Sequence, residues 1–106
     1  MRRVSVQPDN LPTLAFLAKS LGDENRLRIL LSLQNGKKSV SSIVEELQLS
    51  QPLVSHHLKE LRRALLVEVE RRGPFIYYQM SHPGIMDILK AMDSLAVALL
   101  AARKTF

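Results

Sequence analysis

Residues 47–65 read Leu47-Gln48-Leu49-Ser50-Gln51-Pro52-Leu53-Val54-Ser55-His56-His57-Leu58-Lys59-Glu60-Leu61-Arg62-Arg63-Ala64-Leu65, and the fold turns on what they form. Ser50 is placed to cap a helix, and Pro52 falls in its first turn, where a missing N–H costs nothing. At about 100° per residue, Val54, Leu58, Leu61 and Leu65 share one narrow sector of that helix, the expected buried stripe. Pro52, Ser55, His56, Lys59 and Arg63 lie on the opposite side. This outward face is polar, carries two cations and has no carboxylate at its centre; Glu60 sits on its flank. The helix is expected over 51–64. Just upstream, Gln48-Leu49 makes a short turn after a helix with Val40, Ile43, Val44 and Leu47 inward. Ser39 can cap that helix, and Ser42 with Glu45 is an alternative capping box. Helix, short turn and capped helix form the helix-turn-helix pattern, whose second helix enters the major groove with its N-terminal residues toward the bases.

On the N-terminal side, residues 1–9 are polar and contain Pro8, a flexible arm. From Asn10 a first helix carries Leu11, Leu14, Leu17, Ala18 and Leu21 at spacings of three and four. Gly22 stops it, and Asp23 caps a second helix expected to bury Leu27, Leu30 and Leu31, with Ile29 and Leu33 alongside. Asn35-Gly36 ends that helix as a turn. Downstream the period changes to two. Val67 and Val69 alternate with Glu68 and Glu70, and Ile76, Tyr78 and Met80 alternate with Phe75, Tyr77 and Gln79. Arg71-Arg72-Gly73-Pro74 joins them as the turn of a hairpin. Pro83-Gly84 opens a last helix, apolar at Ile85, Ile88, Leu89, Met92, Leu95, Ala96, Leu99 and Leu100. The predicted fold is mainly α with a small β-hairpin (α+β). It is a winged helix-turn-helix of four helices, a two-stranded wing over 67–80 and a C-terminal helix, one domain over residues 10–106.

Composition narrows the function. A chain of 106 residues holds one core. Aromatics are only 5% and Trp is absent, which argues against a base-stacking platform for single strands. No Cys is present, so disulfides, thiolate metal sites, iron–sulfur clusters and thiol redox sensing are excluded. No apolar run approaches the ~20 residues of a membrane span, and Arg2-Arg3 precedes no apolar stretch of a signal peptide. A soluble, cytoplasmic protein with no membrane partner is expected. Lys and Arg number 15 against 10 Asp and Glu, a net charge of +5 that suits a polyanion.

The positions of those charges point to double-stranded DNA. Ser55 and His56 can donate and accept at base edges, Lys59 can reach a guanine or a phosphate, and Gln51 can pair with adenine or hold a phosphate. Arg71 and Arg72 flank the hairpin turn, placed to meet phosphates or the minor groove. The candidate DNA-binding residues are Ser50, Gln51, Pro52, Ser55, His56, Lys59, Arg63, Arg71, Arg72 and Gly73. His57 lies at the edge of the buried stripe and reads as structural. Adjacent residues on a helix point about 100° apart, so His56 and His57 cannot chelate one ion together. No H-E-x-x-H pattern and no Gly-rich loop before a helix is present, so no enzyme is expected.

Asp23-Glu24-Asn25-Arg26-Leu27-Arg28-Ile29-Leu30, then Leu47 to Leu61, then Gly73-Pro74-Phe75-Ile76-Tyr77-Tyr78, resemble the ArsR-type winged-helix transcriptional repressors. The Ser-Gln-Pro…Val-Ser-His-His-Leu run is its specific part. The resemblance covers nearly the whole chain from Leu11 onward. It implies a homodimer joined by the first and last helices, and operator binding released by an inducer, commonly a metal ion. The sequence departs from the family's metal sensors, however. Ser39 and Ser41 stand where the resemblance puts two Cys, and Ser hydroxyls are poor ligands for soft metals. His82, Gly84, Leu95 and Ala98 stand at the second site, where only His82 could ligate. No metal or other cofactor is expected, and the inducer's identity does not carry over.

The last helix has an apolar stripe wide enough for two contacts, one of which a single chain would leave exposed. Leu11, Leu14 and Leu17 of the first helix with Met92, Leu95 and Leu99 of the last are the candidate dimer interface. The sequence thus reads as a sequence-specific transcriptional regulator, a homodimeric repressor on a palindromic operator. The alternative is a winged-helix module that binds an acidic protein partner.

Overall fold

A computed structural model describes residues 5–103. Arg2 and Arg3 of the N-terminal arm lie outside the described residues. A single 3-10 turn at Pro8–Asn10 leads into α1 (Leu11–Ser20) and α2 (Glu24–Ser32). These are followed by β1 (Lys38–Ser39), α3 (Val40–Leu47), α4 (Gln51–Arg63), β2 (Val67–Arg72), β3 (Phe75–Met80) and α5 (Gly84–Arg103).

Three caps set the helix starts. Asp23 accepts the backbone N–H groups of Asn25 and Arg26, Ser39 accepts that of Ser42, and Ser50 accepts that of Leu53. Ser39, not the Ser42–Glu45 alternative, opens α3. His82 Nδ1 accepts the Gly84 N–H at 2.8 Å at the start of α5. A Cβ on Gly84 would stand 2.9 Å from that nitrogen, so the cap needs glycine here.

The sheet is antiparallel with strand order β1-β3-β2. β2 and β3 pair from Val67↔Met80 to Arg72↔Phe75, which draws Arg71 and Arg72 into the ladder and leaves Gly73-Pro74 as a two-residue turn. Gly73 at φ 59 followed by proline is the II′ combination, whose twist suits a hairpin. The third strand adds to the two-stranded wing read from the sequence. Lys38 pairs with Tyr78 and Ser39 with Tyr77. Two residues are too few to show a period of two, and Ser39 already had a role as a cap.

The core joins Leu21, Ile29, Leu30, Leu33, Ile43, Val54, Leu58, Leu61, Ala64, Leu66, Val67 and Ile85. Tyr78, Met80 and Leu89 pack against it in part. Leu27, Val40, Val44 and Leu47 pack against it in part, and two residues expected inward are exposed. Leu31 is exposed, because a nine-residue helix turns only one stripe inward, and Ile29, Leu30 and Leu33 occupy it. Leu65 is 79% exposed. Helix α4 ends at Arg63, one residue short of the expected 64, and Leu65 adopts φ 62. The Leu66 N–H bonds to the Leu61 carbonyl and the Leu65 N–H to that of Arg62, each at 3.0 Å. This is a Schellman closure, with the buried Leu61–Leu66 pair as its apolar contact. The left-handed residue turns its own side chain outward and sends the next one in.

The same two positions generate a contrast in stability. Leu61→Ala should cost about 2–5 kcal/mol, as for a fully buried leucine. Leu65→Gly should instead raise stability by about 1 kcal/mol, because glycine carries no left-handed penalty and Leu65 buries little. Equilibrium urea unfolding of both variants checks this. A loss on Leu65→Gly comparable to that of Leu61→Ala would contradict the capping geometry.

Candidate nucleic-acid interface

Helix α4 is held by its inner face and leaves its outer face free. Inside, Val54, Leu58 and Leu61 are completely buried. His57 is buried beside them. Its Nδ1 accepts from Arg26 Nε at 3.2 Å, and its Nε2 lies 3.8 Å from Asp23 Oδ1. Nδ1 is therefore the unprotonated nitrogen, and Nε2–H faces the carboxylate. Arg26 also donates to the Ser20 carbonyl at 3.4 Å. Arg28, two residues on, donates to the Leu47 carbonyl at 2.9 Å, at the end of α3. Helix α2 thus grips both members of the helix-turn-helix. Between them Gln48 takes a left-handed conformation, φ 56 and ψ 42, and its side chain donates to the Glu45 carbonyl at 2.7 Å.

Outside, Gln51, Pro52, His56, Lys59 and Arg63 are exposed and Ser55 is half-buried, on the face the sequence predicts. Gln51 Nε2 donates to Ser55 Oγ at 3.4 Å, which pre-orders two polar groups at the helix start. Ser50 Oγ accepts the capping N–H of Leu53, which leaves its hydroxyl hydrogen to donate to a phosphate. Arg63 lies 3.4 Å from Glu60 on the exposed surface, a pair of little energetic weight. Among the described residues Lys59 and Arg71 have no ion pair, and both are exposed. Arg72 Nε donates to Glu70 Oε1 at 3.1 Å.

One cation of the wing escaped sequence reading. Lys37, in the loop before β1, bonds Glu70 Oε2 at 2.6 Å and stands 5.8 Å from the Tyr77 ring centre. Hydrogen bonds from Lys37 and then Arg72 hold the Glu70 carboxyl below its ordinary range. Lys37, Arg71 and Arg72 therefore outweigh Glu70 near the turn, and the tip of the wing stays positive. The pairing across β1 that brings Lys37 there has no local sequence signal. Arg62, next to Arg63, is also exposed and went unassigned.

The other candidate residues divide. Leu11 and Leu14 on α1 and Met92, Leu95 and Leu99 on α5 are exposed, while Leu17 is half-buried against the chain's own core. Leu14, Leu17, Ala18, Ile88 and Met92 line an apolar groove of about 250 Å³ between the two helices. Every residue from 91 to 103 is exposed. Ser39 and His82, at two of the resemblance's metal positions, are otherwise engaged. Ser39 caps α3, and His82 Nδ1 caps α5. Among the described residues no group of three or more His, Cys, Asp or Glu could hold a metal ion, and no helix is long and apolar enough to cross a membrane. The residues at the resemblance's positions do not fit a soft-metal site.

Comparison with known proteins matches residues 23–69 to the family described as bacterial regulatory protein, arsR family. The chain is 37% identical over 82 residues to MJ1325 of Methanocaldococcus jannaschii, an uncharacterized HTH-type transcriptional regulator, covering 76% of this chain and 92% of that one. It is 34% identical over 74 residues to the transcriptional repressor SdpR of Bacillus subtilis, covering 70% and 82%. Among solved structures, it superimposes on the homodimeric winged helix-turn-helix DNA-binding domain Mb0332 of Mycobacterium bovis, a possible ArsR-family regulator, with a TM-score of 0.77 and 26% identity. That superposition covers 92% of this chain and 94% of the other.

The Asp23–Arg26–His57 contact makes stability depend on pH. Burial, aided by the charges of Arg26 and His56, holds the His57 imidazole below its ordinary value despite the pull of Asp23. The unfolded chain therefore takes up a proton near pH 6.5 while the folded chain resists it. Stability should be full above that value and fall as pH drops below it. The Asp23 carboxyl is lowered too, chiefly by the Arg26 N–H, so its contribution is lost only at far lower pH. Urea unfolding between pH 7.5 and 5.5 should show the decline, and His57→Phe should flatten it. A decline of the same slope in His57→Phe would assign the effect to another group.

Proposed function

The chain belongs to the arsR family of bacterial regulatory proteins, and from that membership we propose that it is a homodimeric repressor whose α4 reads operator bases while its wing holds the backbone. It is a winged helix-turn-helix transcriptional regulator, and not an enzyme. The observation that carries the DNA reading is the asymmetry of α4. Its inner face is locked by buried contacts, and its outer face offers Gln51, Ser55, His56 and Lys59. Such a helix can enter a major groove without disturbing anything that holds the fold. Ser55 and His56 are suited to base edges, Lys59, Arg63, Arg71 and Arg72 to phosphates, and Ser50, Pro52 and Gly73 to close approach of the backbone. A protein acting on chromosomal DNA in this way works in the cytoplasm.

The dimer rests on the surface of α1 and α5. Ile88, Met92, Leu95 and Leu99 follow spacings of four, three and four along α5 and are all exposed. With Leu11, Leu14 and the outer edge of Leu17 they offer apolar side chains that a second copy can cover about a two-fold axis. The homodimeric state of Mb0332, on which 92% of this chain superimposes, supports a homodimer here. Two recognition helices related by a two-fold axis call for a palindromic site with major-groove entries about one helical turn apart.

Two measurements test these readings. In duplex binding titrated with salt, Lys59→Ala and Arg71→Ala should weaken binding to all sequences. Each should lower the salt slope by roughly one unit for every phosphate that a protomer no longer neutralises. His56→Ala should instead alter the sequence selected from a random library, at about 1–3 kcal/mol per base contact. An unchanged selected site would remove His56 from base reading. A chain that retains no duplex at any salt concentration would leave the acidic-protein alternative.

Leu95, 57% exposed in the single chain, tests the dimer. Leu95→Glu would place a charge in the apolar seam. The variant should sediment as a folded monomer and lose specific DNA binding with α4 untouched, because the second half-site contact is no longer intramolecular. Retention of a dimer with unchanged affinity would move the interface elsewhere.

A further inference from the structure

The wing ends in apolar side chains that the fold does not use. Phe75 is 60% exposed and Ile76 is also exposed, at the first two positions of β3 after the Gly73-Pro74 turn. The II′ turn needs its glycine, and nothing in its geometry calls for a phenyl ring two residues later. Solvated hairpins usually present charged or polar residues at such an edge. Here the register puts a cation beside each apolar residue. Phe75 lies opposite Arg72 on one face of the ribbon, and Ile76 lies opposite Arg71 on the other.

The Phe75 ring is braced at one side only. Its centre lies 6.4 Å from that of Tyr77, whose ring carries Lys37 at 5.8 Å. Glu70, the carboxylate nearest the turn, is occupied by Lys37 and Arg72. The tip is therefore a stiff, two-stranded ribbon ending in an apolar point within a positive field. An exposed phenyl ring flanked by arginines is complementary to a narrow groove between two phosphate rows. It is poorly complementary to a purely apolar protein surface, which would leave Arg71 desolvated without a counter-charge.

We propose that Phe75 is a wedge that enters the DNA minor groove and opens a base step, with Arg71 and Arg72 on the flanking phosphates. This rests on the DNA-binding reading above and adds a specificity contact independent of α4. Apolar wedges in the minor groove partly unstack a step and kink the duplex. The deformation is cheapest at pyrimidine–purine steps. The wedge therefore selects a flexible step flanking the half-site read by α4, and Ile76 lines the groove wall beside it.

The test uses the full chain and a duplex recovered from a random library by binding to it, with fluorophores at both ends and 2-aminopurine at the flanking steps. The wild-type chain should bring the ends together and raise the 2-aminopurine emission. Phe75→Ala should lose both signals and the preference for a pyrimidine–purine step. Its affinity should fall about tenfold, as expected for partial burial of one ring, with the salt slope unchanged. Phe75→Leu, which keeps an apolar wedge, should retain most of the bend. Circular dichroism and sedimentation of both variants should match the wild type, since the ring is exposed. Wild-type bend, emission and affinity in Phe75→Ala would overturn the proposal. So would a fall in affinity accompanied by a smaller salt slope, which would mean that the ring only positions the arginines. Failure of the wild-type chain to recover any duplex would overturn the DNA-binding reading itself, and the wedge with it.

Discussion

The contact between the N-terminal turn of α2 and the inner face of α4 is the constraint on which the interface depends. Asp23 caps α2 with its carboxylate and offers the same oxygen toward His57 Nε2, while Arg26 donates to His57 Nδ1. Neither end of the imidazole is idle. A leucine at that position could pack, but it could not fix the rotation of α4 about its own axis. Polar partners at both nitrogens do so, because their directions are set by the ring plane. His56 is the next residue, about 100° around the helix. Fixing His57 inside therefore fixes where His56 points outside. Arg28 completes the grip by holding the last carbonyl of α3, so both helices of the motif are registered against one turn of a third.

Two left-handed residues then set the ends of the motif. Gln48 turns the chain between α3 and α4, and Leu65 turns it from α4 toward the wing. Neither is glycine, so each carries a conformational cost of about 1–2 kcal/mol. Local compensation is visible in both cases. The Gln48 side chain donates to the Glu45 carbonyl, and the Leu65 turn is closed by two backbone hydrogen bonds and the Leu61–Leu66 contact. The turn at Leu65 has a functional consequence, since it sends β2 off α4 at the angle that carries the wing and its arginines.

What the sequence disclosed and what it hid follow from the range of the interactions. Stripes, caps and the hairpin are local, and Val54, Leu58, Leu61, Ser39, Ser50 and the β2–β3 alternation were all legible. Leu65 fits the helical period and is nonetheless exposed, because a helix stop depends on backbone geometry that periodicity does not carry. Leu31 was misplaced for a related reason. Ile29, Leu30 and Leu31 are consecutive, which leaves the inward sector ambiguous until the partner helices are in position. β1 and the Lys37–Glu70 pair join residues far apart in sequence, and nothing at either end announces the other. The outward face of α4 was legible as a face, since it is the complement of the buried stripe. The engagement of both nitrogens of His57 was not, because Arg26 lies 31 residues away.

Helix α5 shows how far the single chain falls short of a finished molecule. Of its 20 residues only Ile85 is buried, and Leu89 packs in part. From residue 91 to 103 every residue of the helix is exposed. An isolated helical segment of that length is marginal in water, even with good propensity, and its apolar residues gain nothing from exposure. On the proposed dimer, association supplies the free energy that keeps this half of α5 ordered. In a homodimer built on α1 and α5, folding of the C-terminal half and pairing of the protomers are then one equilibrium, and its stability depends on protein concentration. On that reading the same association sets the spacing of the two α4 helices. A change in that packing acts on DNA affinity through geometry alone, without touching any residue of α4 or of the wing.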